Sequence, residues 1–174
     1  REALASTSIS PDVIQLVPSD DRETVKALLN ARGKVDLVIP RGSAALIRMV
    51  VDESTVPTIE TGAGVCHVYI DEFADLTKAI PIIINSKVQR PSVCNAAETL
   101  LVHSKIADSF MPTALKALHE AGVIVHADAA TLALAKSAGI PATLATDENF
   151  CTEYGTLEMN VAIVDSVDAA SAHI

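Results

Sequence analysis

Residues 99–141 read TLLVHSKIADSFMPTALKALHEAGVIVHADAATLALAKSAGIP, and the order of signals in that stretch decides the fold class. Thr99–His103 is an apolar run of strand length. Asp108 to Ala121 carries apolar residues at helical spacing and stops at Gly122, a residue suited to the left-handed turn that ends a helix. Val123–Val125 is a second short strand, and Asp128 opens a helix that runs to Ala138 and stops at Gly139 and Pro141. Strand, helix, strand, helix with short joins marks a parallel sheet whose strands are linked by crossover helices.

The alternation continues outward. Val13–Val17, Val35–Ile39, Val56–Glu60 and His67–Ile70 read as strands upstream, and Leu157–Val164 as one downstream. Asp20 followed by Glu23 resembles a capping box, opening a helix with Val25, Leu28 and Leu29 on its apolar face and Gly33 past its end. A helix is expected from Ser43 to Val51, after the Pro40–Gly42 turn, and another from Val167 onward. Asp75 caps a helix with Leu76, Ala79, Ile80, Ile83 and Ile84 at helical spacing, in which Pro81 should force a kink or a late start. The fold class is therefore α/β, a mostly parallel sheet with helices on both faces. No repeat, Gly/Ser linker or low-complexity tract marks a domain boundary.

Composition narrows the function. Of the 174 residues 49% are apolar and 3% aromatic, with no Trp, so the core is built from Ala, Val, Leu and Ile, as in sheets covered on both sides. A formal charge of −9 gives little attraction for nucleic acid or an anionic membrane. No apolar run approaches the length of a membrane span, and no signal segment opens the chain. Three cysteines without tight spacing indicate neither a disulfide framework nor a metal site, which fits a reducing cytoplasm. The chain opens on Arg1 and closes on His173–Ile174 inside a helical pattern, so both ends read as cut.

Four segments hold groups that can do chemistry. Gln89–Asn95 (QRPSVCN) joins a helix to a strand and places Cys94 near Arg90 and Lys87, cationic neighbours of the kind that favour an exposed thiolate. Taken alone, a loop cysteine is more often incidental. Glu60–Gly64 (ETGAG) sits at a strand end, where glycines admit close backbone approach and a carboxylate can act as base; a plain tight turn explains it as well. Pro40–Ser43 enters a helix whose N-terminal N–H groups suit a phosphate, although many βα turns look the same. Cys66 and His67 are neighbours in a strand and point to opposite faces, which argues for a buried thiol and a structural histidine rather than a shared metal. His103, His119, His126 and His173 lie in separate elements, so the residues do not favour a Cys–His hydrolase, and Cys151 falls in an irregular stretch.

The run Lys87–His103 (KVQRPSVCNAAETLLVH) resembles the active-cysteine segment of the γ-glutamyl phosphate reductases. Asp36–Ser43 (DLVIPRGS), Gly62–Tyr69 (GAGVCHVY) and His126–Ala129 (HADA) resemble further signatures of that family, a branch of the aldehyde dehydrogenase superfamily. Glu60 occupies the place of the superfamily's glutamate upstream of the nucleophile, but Thr61 and Ala63 stand where the wider pattern has Leu and Gly.

The resemblance implies an aldehyde dehydrogenase-like fold. Residues 1–60 would form the C-terminal part of a Rossmann-like cofactor-binding domain, with Gly42, Ser43, Thr61 and Gly62 near the dinucleotide. Residues 61–174 would form the parallel-sheet catalytic domain, cut before the family's C-terminal segment. Cys94 is then the nucleophile, Asn95 its loop neighbour, Glu60 the superfamily's base and Arg90 the partner of substrate phosphate or carboxylate. The reaction implied is NADPH-dependent reduction of L-glutamyl 5-phosphate to L-glutamate 5-semialdehyde and phosphate, through a cysteine thioester, in cytoplasmic proline biosynthesis. The family also implies a homo-oligomer at full length and a complex with glutamate 5-kinase. Two other readings remain: a non-catalytic module of that enzyme, and a different thiol acyl-transfer dehydrogenase on the same scaffold.

Overall fold

A strand buried along its whole length organises the larger part of the molecule: β2 (Ala97–His103) has no exposed residue. The computed structural model describes residues 2–18, 21–60, 62 and 64–174, the side chain of Ala44 excepted. The expected capping box at Asp20 and the candidate residue Thr61 fall outside the described residues. The chain divides into two compact units, Arg1–Gly62 and Ala63–Ile174.

In the second unit, β1 (Cys66–Ile70), β2, β3 (Ile124–Ala127), β4 (Thr143–Leu144) and β5 (Glu158–Val164) form one sheet of order β1-β2-β5-β3-β4. Every pairing is parallel, with Thr99 beside His67 on one side and Asn160 on the other. Parallel strands require crossovers, and the helices supply them. With α1 (Arg22–Leu29) and α2 (Ala44–Glu53) in the first unit, the crossovers here are α3 (Leu76–Val88), α4 (Ser104–Glu120), α5 (Ala129–Ser137) and the single turn α6 (Asp147–Phe150), and α7 (Val167–His173) follows the last strand.

Strand alternation sorts the two faces. Leu100 and Val102, with Val125, Met159 and Val161, pack against Ile83 of α3, Met111, Leu115 and Leu118 of α4 and Ala135 of α5. Leu101 and Ala162 turn to the other face and meet Ala170 of α7 and Phe150 of α6. Leu115 and Leu118 are fully enclosed, and truncating either to Ala should cost about 2–5 kcal/mol.

Helix starts are set by side-chain caps. Asp75 accepts from Thr77 N–H at 3.0 Å, and α3 then runs unbroken through Pro81 to Val88, so the proline does not force the late start expected. Four turns of helix packed on the sheet outweigh one lost hydrogen bond. His103 Nδ1 accepts from Lys105 N–H at 3.1 Å, which starts α4 at Ser104, four residues before the Asp108 expected from periodicity.

The first unit departs further from expectation. It contains α1 (Arg22–Leu29), capped by Asp21, and α2 (Ala44–Glu53), capped by Ser43. Val13–Val17 is not a strand: Pro11–Val13 is a 3-10 turn, and the rest of the run is irregular. Val35–Ile39 and Val56–Glu60 meet only at one parallel bridge, Val38 with Thr58. A strand is stable only in a ladder, and no neighbour completes one among the described residues. Ile14 and Leu16 accordingly lie exposed, Leu16 at 91%.

Candidate active site at the amino edge of the sheet

The loop carrying Cys94 is built at the return from α3 to β2. Helix α3 closes at Gln89, and two consecutive turns follow, Val93 N–H to Arg90 O at 3.3 Å and Ala96 N–H to Val93 O at 2.9 Å. Ala96 is buried and anchors the far end, while Arg90, Cys94 and Asn95 are exposed. Among the described residues the backbone N–H groups of Cys94 and Asn95 donate to no protein acceptor.

The Cys94 carbonyl is held from the start of β1. A Cβ on Gly64 would lie 2.6 Å from that oxygen, so the approach is open only to glycine. Cys66 donates its S–H to the same oxygen at 3.5 Å. Gly64 is itself fixed, since its N–H donates to Glu153 Oε2 at 3.0 Å. Beneath the loop, Lys87 Nζ and Glu98 Oε2 form an ion pair at 2.6 Å, with side chains 0% and 1% exposed. This pair ties the end of α3 to the start of β2 across the loop, and Glu98 Oε1 is buried with no hydrogen-bond partner among the described residues.

A polar network lies on the face opposite that ion pair. Tyr154 donates its hydroxyl to Asn160 Oδ1 at 2.8 Å and accepts from Asn149 Nδ2 at 2.9 Å. Asn160 Nδ2 donates to Asn149 O at 2.8 Å and to Thr99 Oγ1 at 3.3 Å. His126 stacks on the Tyr154 ring and lies 3.1 Å from Glu158 Oε2. Burial pushes the Tyr154 hydroxyl above its ordinary pKa, and the hydrogen bond from His126 holds the Glu158 carboxyl below its own.

At the carboxyl edge, Asp128, Asp147, Phe150 and His173 line an open groove. Both oxygens of Asp128 are taken, Oδ1 by Thr131 N–H at 2.7 Å and Oδ2 by Ile163 N–H at 2.9 Å. The His173 ring meets the edges of Phe150 and His67, and burial, then His67, keeps its pKa below the ordinary histidine value.

Sequence reasoning places Cys94, Asn95 and Arg90 on one exposed loop, and that is where they lie. Glu60, Gly42, Ser43 and Gly62 belong to the first unit. There Glu60 is exposed, and Ser43 Oγ accepts from Leu46 N–H at 3.3 Å. Gly42 takes φ +155°, and a Cβ there would meet Leu46 Cδ2 at 2.6 Å.

One reading needs correction. Cys66 is half-buried rather than buried, and it bonds the Cys94 carbonyl because β1 begins beside that loop. The sequence does not single out Glu153 and Tyr154, because Asp147–Gly155 reads as irregular. The signal available was Thr146 followed three residues later by Asn149, which form a capping box that starts α6. Four of the histidines engage groups other than Cys94, with His103 near Glu72, His126 near Glu158 and His67 against His173. Among the described residues no cluster of three metal-ligating side chains occurs, and no helix is long and apolar enough to cross a membrane.

Comparison with known proteins agrees with the architecture. The aldehyde dehydrogenase family model matches residues 1–137. A γ-glutamyl phosphate reductase of Kineococcus radiotolerans is 55% identical over all 174 residues, which make up 40% of that protein. One of Thermobifida fusca is 56% identical and covered to 41%. The crystal structure of the Thermotoga maritima γ-glutamyl phosphate reductase superposes with a TM-score of 0.88 at 43% identity, covering 99% of this chain and 41% of that one. An acetylating aldehyde dehydrogenase of Geobacillus thermoglucosidasius, 19% identical with a TM-score of 0.69, shares the fold. The chain thus spans about 40% of the length of the curated relatives it matches. On these grounds the chain belongs to the aldehyde dehydrogenase family.

Proposed function

We propose that this chain is the part of a γ-glutamyl phosphate reductase that carries the nucleophile, Cys94, and that the longer protein reduces L-glutamyl 5-phosphate to L-glutamate 5-semialdehyde. The observation that carries this reading is the exposed Cys94 thiol on a loop fixed through its own carbonyl, inside a segment resembling the reductases' active-cysteine motif.

The Cys94 thiolate attacks the acyl carbon and expels phosphate, leaving a thioester. The N–H groups of Cys94 and Asn95, unengaged among the described residues, are the loop's own donors for the oxyanion that forms. Exposed Arg90 offers a two-pronged donor for the phosphate or the substrate carboxylate. A nicotinamide dinucleotide, NADP(H) by the family resemblance, supplies the hydride when bound. Gly42 and Ser43 suit its phosphates: the glycine leaves the approach to α2 free of a Cβ, and Ser43 Oγ already caps Leu46, so backbone N–H groups would make the contact. After reduction the thiolate is a good leaving group, and its departure frees the aldehyde. An acyl phosphate needs no activated water, so Glu60 is dispensable for this step. Cytoplasmic proline biosynthesis, a homo-oligomer and a complex with glutamate 5-kinase belong to the same proposal.

The test is phosphate-dependent reduction of NADP⁺ by glutamate 5-semialdehyde in a protein of the relatives' length. Cys94→Ser should fall to background with the fold intact, and Glu60→Gln should lose far less. Retained turnover in Cys94→Ser would remove the assignment. Reduction that depends on coenzyme A instead of phosphate would point to a different thiol acyl-transfer dehydrogenase.

A further inference from the structure

We propose that Cys66 is the resolving thiol for Cys94: a hydroperoxide oxidises Cys94, and Cys66 then closes a reversible disulfide onto it. This rests on the reading of Cys94 as the exposed reactive thiol.

The geometry points to the pair. Cys66 Sγ lies 3.5 Å from the Cys94 carbonyl oxygen, so the second sulfur sits against the backbone of the first cysteine. Two residues earlier, a Cβ at Gly64 would stand 4.0 Å from Cys94 Cβ, so the two chain segments touch. A disulfide requires Cβ atoms roughly 3.5–4.5 Å apart, which segments in such contact reach with a small loop shift, after which side-chain rotation turns the two sulfurs together. Both sides have room to give. The Cys94 loop is held by two turns, and the β1–β2 register is irregular between Cys66 and His67. Access is graded in the right order, with Cys94 exposed and Cys66 half-buried. The remaining cysteine, Cys151, is exposed but has no contact with the Cys94 carbonyl among the described hydrogen bonds, and it serves as a control.

The chemistry balances. The Cys94 thiolate attacks the peroxide O–O bond, gains one oxygen to become a sulfenic acid, and releases the alcohol or water half. The Cys66 sulfur then attacks the Cys94 sulfur, the S–S bond forms, and hydroxide leaves with the Cys66 proton as water. The protein has lost two electrons and two protons, and a dithiol returns both. The consequence is protection, because a bridged Cys94 cannot advance to the irreversible sulfinic acid.

The experiment treats purified, substrate-free protein with a several-fold molar excess of hydrogen peroxide, enough to carry an unprotected thiol to the sulfinic acid, and maps its peptides without reduction. The expected product is two hydrogens lighter, with Cys66 and Cys94 in one linked peptide and Cys151 free, and dithiothreitol restores Cys94 alkylation by iodoacetamide. Cys151→Ser should behave identically. In Cys66→Ser, Cys94 should instead gain two oxygens, and dithiothreitol should not restore alkylation. Equal loss of recoverable Cys94 in wild type and Cys66→Ser, or a bridge to Cys151, overturns the inference. Such a result leaves the nucleophile assignment standing if Cys94→Ser is still inactive, whereas an active Cys94→Ser removes that assignment whatever the bridge does.

Discussion

The two edges of the five-stranded sheet use their polar groups differently. Open parallel sheets usually bind ligands outside the carboxyl ends of their strands. Here the carboxyl edge is rich in polar side chains, but those side chains hold the fold. Asp128 gives both oxygens to backbone N–H groups, His103 caps α4 and Ser166 caps α7. At the amino edge the Cys94 side chain and the N–H groups of Cys94 and Asn95 are unengaged among the described residues, while the Cys94 carbonyl and the neighbouring Gly64 N–H are held by Cys66 and Glu153. Groups already satisfied by the protein are poor candidates for chemistry. Groups left free on an anchored loop are good ones, and the comparison therefore favours the edge that the general rule does not.

The largest effect should come from the ion pair under the Cys94 loop. Lys87→Met leaves Glu98 charged and buried, which should cost about 3–5 kcal/mol in urea unfolding, while Lys87→Met with Glu98→Leu should recover most of it. A double variant as unstable as the single one would show that the charge itself is not what matters. Next comes Gly64→Ala. Its Cβ collides with the Cys94 carbonyl, and the displaced loop should lower turnover in the proposed reaction, assayed in a protein of the relatives' length, about 100-fold with the fold retained. Wild-type turnover would mean the amino edge is looser than described.

At the carboxyl edge the effects should be on stability alone. Asp128→Ala loses two backbone hydrogen bonds and should cost about 1–3 kcal/mol, with the rate of Cys94 alkylation unchanged. A slowed alkylation would tie the two edges together and break the comparison. The smallest effect is a pH dependence. Burial beside His67 holds the His173 pKa below its ordinary 6.5, so the unfolded chain binds the proton more readily than the folded one. The contribution is thus fully present above about pH 6.5 and is lost as pH falls toward the folded value. His173→Gln should flatten that part of the pH–stability curve measured by thermal unfolding.

How far the sequence could be read follows from the same physics. The longer strands and helices of residues 97–164 are legible because their apolar spacing is regular, and Cys94 stands out between α3 and β2, whereas the two-residue β4 and the single turn α6 are too short to show a period. Val13–Val17 has the same local appearance but no ladder to join, so its composition misleads. Contacts far apart in sequence left no trace: Glu153 with Gly64, and Cys66 with the Cys94 carbonyl, arise only when β1 and β5 line up beside β2. Lys87 reads in sequence as a cation near the cysteine, but its pairing with Glu98 needs the α3–β2 packing.

The measurement that tests the central claim most directly is trapping of the acyl group. A protein of the relatives' length is incubated with glutamate 5-semialdehyde and NADP⁺ without phosphate, quenched in acid and peptide-mapped. The account predicts a hydroxylamine-labile glutamyl adduct on the peptide carrying Cys94, absent from Cys94→Ser. An adduct on Cys66 or Cys151, or undiminished turnover by Cys94→Ser, would contradict it.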